Sequence, residues 1–150
     1  MANQAARTLR PEAEVAHYRI VSPLAAGGMG EVYLAEDLSL QRRVAIKILP
    51  PELVKDEDRI RRFELEARSA SQLNHPNIVT IYEIGNEPVR MPGEPDSGPV
   101  RYIAMELVTG RTLASLIHEE KTDLKTLVGY LAQAADGLAK AHAAGIVHRD

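Results

Sequence analysis

The chain contains no cysteine and no tryptophan, and its 150 residues include a single phenylalanine and five tyrosines. Without cysteine there is neither a disulfide framework nor a thiolate metal site, the usage expected of a reducing compartment. There is no basic excess either. Lys and Arg number 18 against 21 Asp and Glu, a formal net charge of -3, so the electrostatic footprint of a nucleic-acid or anionic-membrane binder is missing. No apolar run approaches the roughly 20 residues that a membrane-spanning helix needs. Met1 to Val15 is polar and alanine-rich, without the apolar stretch of a signal peptide. These absences point to a cytoplasmic chain with no nucleic-acid partner and no membrane segment of its own, while leaving open an anchor beyond residue 150. What is present suits a folded protein: 45% hydrophobic and 26% charged residues, at a one-domain length, without internal repeats.

Residues 1–16 read as a flexible tail. Strand character begins at Tyr18-Arg19-Ile20-Val21, gives way to Gly27-Gly28-Met29-Gly30, and resumes at Glu31-Val32-Tyr33-Leu34-Ala35. Two strands joined by a glycine-rich turn predict a hairpin. Val44-Ala45-Ile46-Lys47-Ile48-Leu49 is the clearest strand, and Pro50-Pro51 ends it. Ile60, Phe63, Ala67 and Ala70 share one face of a helix expected over 57–73. A strand is expected over 78–84. An exposed loop, rich in Gly and Pro, is expected over 85–99, followed by a strand over 102–108. A short helix over 112–119 and a longer one over 124–143 follow, the latter with a continuous apolar stripe and with Gly145 placed to cap its C-terminus.

Three places carry chemistry. Glycines let backbone N–H groups approach phosphates, but a dinucleotide fingerprint should open a helix, and here a strand follows Gly30. The glycines therefore lie across a hairpin; the plain alternative is an ordinary turn. Side chains alternate along Val44-Ala45-Ile46-Lys47, so Ala45 and Lys47 point one way and Val44, Ile46 and Ile48 the other. A small residue beside a lysine suits an adenine ceiling next to a phosphate ligand; the plain alternative is a solvent-facing lysine. Glu66 lies at the edge of the apolar face of helix 57–73, and a carboxylate near a core needs a cation, for which Lys47 is suited. Glu64, two residues away, is expected to point off that face. His17, His118 and His142 show no metal-ligand spacing, His75 is expected to be a turn residue, and His148 a structural neighbour of the site rather than a general base; no metal ligand is expected.

Taken together, these residues resemble the eukaryotic-like (Hanks-type) serine/threonine protein kinases of bacteria. Leu24-Ala25-Ala26-Gly27-Gly28-Met29-Gly30-Glu31-Val32-Tyr33-Leu34-Ala35 resembles the family's glycine loop, Val44-Ala45-Ile46-Lys47 its VAIK strand, and Phe63-Glu64-Leu65-Glu66-Ala67 its αC segment. His75-Pro76-Asn77-Ile78-Val79 resembles the turn after αC, Met105-Glu106-Leu107-Val108 the gatekeeper and hinge, and Gly145-Ile146-Val147-His148-Arg149-Asp150 the start of the catalytic loop. The resemblance covers residues 18–150 and implies an α+β, protein-kinase-like fold. An antiparallel N-lobe sheet with its αC helix would span 17–108, and the first helices of a helical C-lobe 109–150. It implies ATP and Mg2+ as cofactors and a protein substrate bearing Ser or Thr. Leu24, Gly27, Gly28 and Gly30 would cover the nucleotide, Val32 and Ala45 would pack on adenine, and backbone groups of Glu106 and Val108 would meet its edge with Met105 behind. Lys47, paired with Glu66, would hold phosphate oxygens, and Asp150 would orient the substrate hydroxyl.

Two departures qualify the resemblance. Ala25 stands where the family has its first loop glycine, which would stiffen the loop. The sequence also stops at Asp150, before the positions at which the family holds Mg2+, so the 150 residues in isolation are expected to transfer no phosphate. The alternative function implied is a non-catalytic nucleotide-binding or scaffolding remnant.

Overall fold

The computed structural model describes residues 9–27, 30–49 and 57–147, without the side chains of residues 27, 57, 59, 62, 63 and 66. Six antiparallel strands form one strongly curled sheet: β1 (Glu14–Val15), β2 (Tyr18–Gly27), β3 (Gly30–Asp37), β4 (Arg42–Ile48), β5 (Ile81–Arg90) and β6 (Pro99–Glu106). The order across the sheet is β2-β3-β4-β6-β5, and the two-residue β1 pairs with both β2 and β5, joining the edges at one end. Among the described residues three helices accompany it: α1 (Glu57–Ser71), α2 (Leu113–His118) and α3 (Leu124–Ala143). This is the α+β arrangement expected.

The sheet's inner face is aromatic and β-branched. Tyr18, Tyr33 and Tyr102 pack there with Ile20, Val44 and Ile46, all at 2% exposure or less. Large side chains on alternate positions of neighbouring strands fill the concave side and leave the other face for α1 and for chemistry. Ala13 and Val15 are also fully buried in this core, and Leu9 packs against it. The backbone N–H of Leu9 donates to the Tyr33 hydroxyl at 2.8 Å, and β1 pairs Val15 with Val89. The tail expected over 1–16 is therefore an integral edge from residue 9 onward. Its alanines hid this, because small residues carry little hydrophobic periodicity yet fit a crowded sheet edge. Residues 1–8 lie outside the described part.

A second correction concerns 85–99. β5 runs on to Arg90, and only 91–98 forms the connection to β6. Gly85 faces Tyr102, Asn86 faces Arg101 and Pro88 faces Pro99. Both prolines sit at the far end of the hairpin, where the ladder can lose a donor. At its start β5 is shorter than expected, because the turn closed by Ile78 N–H on the His75 carbonyl (3.1 Å) occupies 75–78.

α1 packs against β5, with Ala67 buried. Thr112 caps α2 by accepting from the Ser115 N–H, and Asp123 caps α3 by accepting from the Thr126 N–H at 3.0 Å. These bonds satisfy donors that a helix start leaves without intrahelical partners. Just after α3, Gly145 takes a φ of +78° and its N–H bonds the His142 carbonyl, as its position suggested. α3 meets the rest of the fold at the turn after α1. A Cβ on Gly137 would stand 3.0 Å from the Asn77 carbonyl oxygen, so only glycine allows this approach without displacement. His75 Nε2 lies 3.2 Å from Asp136, and the Asn77 side-chain amide donates to Gln133 at 3.4 Å.

Candidate active site

The strand register decides which side chains share a surface. β3 and β4 pair Val32 with Lys47 and Leu34 with Ala45, and β4 and β6 pair Lys47 with Ile103 and Ala45 with Met105. Directly opposed residues project to the same side. Val32, Lys47 and Ile103 therefore form one row on the outer face, and Leu34, Ala45 and Met105 the next. Ala45 is nearly covered and Lys47 half-buried, whereas their neighbours Val44, Ile46 and Ile48 turn into the core. The alternation read from the sequence places Ala45 beside Lys47 on one face.

At one end of these rows lies the β2–β3 hairpin. Ala25 pairs with Val32 and Gly27 with Gly30. Gly30 is buried and has a φ of +119°, a backbone that side chains disfavour. Gly28 is outside the described residues. Leu24 is half exposed on the same hairpin. At the other end β6 leaves the sheet. The Glu106 N–H donates to the Thr80 carbonyl at 2.8 Å, and its carboxylate accepts the Thr80 N–H at 3.1 Å. With its N–H taken, any contribution of Glu106 to a ligand edge would come from its carbonyl. Val108 lies just beyond, on an exposed stretch at 66% exposure.

Asp150 and the side chain of Glu66 are outside the description, so the Lys47–Glu66 pair has no geometry here. Glu64 does: its carboxylate accepts from the guanidinium of Arg101 on β6. Arg101 has the parity of Ile103 and Met105, so Glu64 faces the same side of the sheet as Lys47. It was expected to point off the apolar face of the helix, and it stands on the flank of that face. The expectation used one apolar stripe, whereas the long arginine on β6 reaches out to the flank of the helix. A strand arginine beside a helix carboxylate was the signal available.

A second polar cluster lies on the core side. Tyr18 and Tyr102 donate their hydroxyls to the two oxygens of Glu83 at 2.8 and 2.6 Å. Burial, followed by donation to this carboxylate, pushes both phenols well above the usual tyrosine range. Next to it Asp37, at 1% exposure, accepts the N–H groups of Ser39 and Leu40 at 3.0 and 3.1 Å and faces Arg42 and His17. Burial alone would raise its carboxyl; the two backbone N–H groups and Arg42 outweigh it, and the net shift is downward. Sequence reading missed both Glu83 and Asp37. A cavity of about 310 Å³ between the ends of α1 and α3 is lined by Leu73, Lys140 and Ile146 among others, and none of the candidate residues lines it. Among the described residues no three His, Asp or Glu side chains stand as a metal cluster, and no helix is long and apolar enough to cross a membrane.

The protein kinase domain family matches residues 18–150. The chain belongs to the protein kinase family. It is 41% identical over 134 residues to the serine/threonine-protein kinase PknB of Mycobacterium tuberculosis, covering 89% of this chain and 20% of that protein. It is 43% identical over 134 residues to the serine/threonine-protein kinase PrkC of Bacillus subtilis, covering 89% and 19%. The crystal structure of the M. tuberculosis PknI kinase domain superposes with a TM-score of 0.76 at 27% identity, covering 95% of this chain and 54% of that one. The chain thus spans about a fifth of the length of PknB and PrkC. The kinase fold expected from the glycine hairpin, the VAIK strand and the hinge is the fold of these relatives.

Proposed function

We propose that these 150 residues are the nucleotide-binding lobe, over 17–108, and the entry to the helical lobe, over 109–150, of a protein that transfers the γ-phosphoryl group of ATP to Ser or Thr hydroxyls of other proteins. The observation that carries this reading is the pair of adjacent rows that set Ala45 beside Lys47 on one face, with Val32 opposite Lys47 on β3 and Met105 opposite Ala45 on β6. An apolar surface with one cation at its rim suits a purine and its phosphates, and the small Ala45 side chain leaves room for the ring. Gly27, Gly28 and Gly30 would lie over the phosphates, with Leu24 and Val32 against the base and the carbonyl of Glu106 and backbone of Val108 along its edge. Lys47, held by Glu66, would neutralise phosphate oxygens. Asp150 would orient the acceptor hydroxyl. Mg2+ would be held by residues outside this span and would draw charge from the phosphates. The composition and net charge favour a cytoplasmic site of action on protein rather than nucleic acid.

The test has two arms on the whole protein. Mg-ATP should raise the melting temperature, as any ligand selective for the folded state does, and Lys47→Ala should abolish the shift. Labelled phosphate should reach a Ser/Thr protein substrate, at a rate that falls at least 100-fold in Lys47→Ala. A shift without transfer would replace the catalytic reading with the non-catalytic nucleotide-binding one. Neither effect would remove both.

A further inference from the structure

Glu64 and Arg101 tie α1 to the sheet at one point. Arg101 lies on β6 opposite Asn86, and its carbonyl accepts the Leu49 N–H at 2.9 Å, so its backbone is held from both sides. Its side chain crosses to the helix and donates to Glu64; the two side chains are 26% and 32% exposed. This placement screens the pair less than an open-surface pair. Residues 64 and 66 are about 200° apart around a helix, and Ala67, the buried centre of the α1 face, lies between them. Fixing Glu64 therefore fixes the rotation of the helix about its axis and sets the direction in which the opposite flank, carrying Glu66, is presented. Arg61, Leu65 and Arg68 are exposed on the outward side of the helix.

We propose that the Glu64–Arg101 ion pair is a positioning tether that holds α1 in the rotation at which Glu66 can reach Lys47. This rests on the phosphotransfer reading above. Glu64 and Arg101 bond each other rather than forming part of the nucleotide surface proposed above, and they act through the helix. Loss of the pair should let α1 swing or roll, lowering turnover more than nucleotide affinity, because the base and hinge surfaces on β3, β4 and β6 stay in place.

The experiment uses the whole protein in five forms: unmodified, Lys47→Ala, Glu64→Gln, Arg101→Met, and the reversal Glu64→Arg with Arg101→Glu. Each is measured for kcat, for KM of Mg-ATP and for hydrogen exchange across 57–71. The single variants should lower kcat by roughly five- to tenfold, as expected for a partly exposed charged hydrogen bond, with KM changed less than about twofold. Exchange across α1 should rise, since local opening reports lost anchoring. The reversal should recover most of both. Unchanged kcat and exchange in the single variants would overturn the proposal, as would faster exchange with kcat intact, or a reversal no better than the single changes. If the unmodified protein transfers no more phosphate than Lys47→Ala, the phosphotransfer reading itself fails. The tether then loses its role for a reason that the control separates from failure of the ion pair.

Discussion

Asp37 is the one buried charged side chain among the described residues. Its carboxylate closes the β3–β4 turn by accepting from Ser39 and Leu40, and it meets Arg42 and His17. Replacement by alanine would leave two N–H groups and a guanidinium without their acceptor, and Asp37→Ala should cost about 2 kcal/mol of stability by urea denaturation. The folded-state pKa is depressed. The stability that Asp37 contributes is therefore complete above the unfolded value of ~4 and is lost as pH falls below it. Acid melts of the parent should steepen there, and those of Asp37→Asn should not. The tyrosines have the opposite sign. Burial, then hydrogen bonding to Glu83 or Glu31, raises the phenols of Tyr18, Tyr102 and Tyr33. Their contribution is complete below about pH 10 and is lost as pH climbs beyond it toward the folded values. Phenolate absorbance from these three should appear only with cooperative alkaline unfolding; a gradual rise from the folded protein would contradict this. Asp37 and Glu83 illustrate why such residues escape sequence reading. Each is one carboxylate among 21 acidic residues, and only the turn and the curl of the sheet bring their partners to them. Lys47 and Ala45 were legible because strand alternation is a local rule.

Among the elements, the β5–β6 hairpin shows the limits of turn chemistry. Gly85, Pro88 and Pro99 each signal a break, yet all three lie in paired strand. At Gly85 the reason is space. A Cβ there would come within 2.5 Å of the Tyr102 ring, which lies across the glycine from the opposing strand. The ring thus covers the backbone that glycine leaves bare, and its hydroxyl reaches Glu83. Gly85→Ala should push Tyr102 off this position and destabilise the fold by about 2 kcal/mol, as overpacking does, with Tyr102→Phe adding little more once the hydroxyl bond is gone. Additive losses in a double-mutant cycle would show that the two do not interact. α3 is the contrary case. Its bounds, 124–143, follow from periodicity and a cap, signals contained within one segment, and they were read to the residue. The helix α1 was read nearly as well, but its polar flank was not, because Arg101 lies 37 positions away in sequence.

At the scale of the molecule, the sheet and α3 differ sharply in how much apolar surface they cover. The inner face of the sheet is closed, whereas α3 buries Gly137 alone among its described residues. Leu124, Val128, Leu131 and Leu138 are exposed at 76, 54, 53 and 41%. The spacing of 124, 128, 131 and 138 sets them along one side of the helix, a contiguous strip of the kind that drives association when uncovered. Polar contacts help to seat the helix: Asp136 with His75 and Gln133 with Asn77, around the close approach of Gly137. A span limited to residues 1–150 should therefore bind a hydrophobic dye and associate as its concentration rises. Leu124→Glu with Leu131→Glu should reduce both effects, since both side chains are more than half exposed. Gly137→Ala should act differently. It wedges α3 away from Asn77, so the polar seat weakens while the strip stays as apolar as before; dye binding should persist and exchange in 124–143 should accelerate. If the double glutamate leaves association unchanged, the exposed strip is not what drives it, and the β3–β4 turn with its 65% exposed Leu40 is the next surface to change.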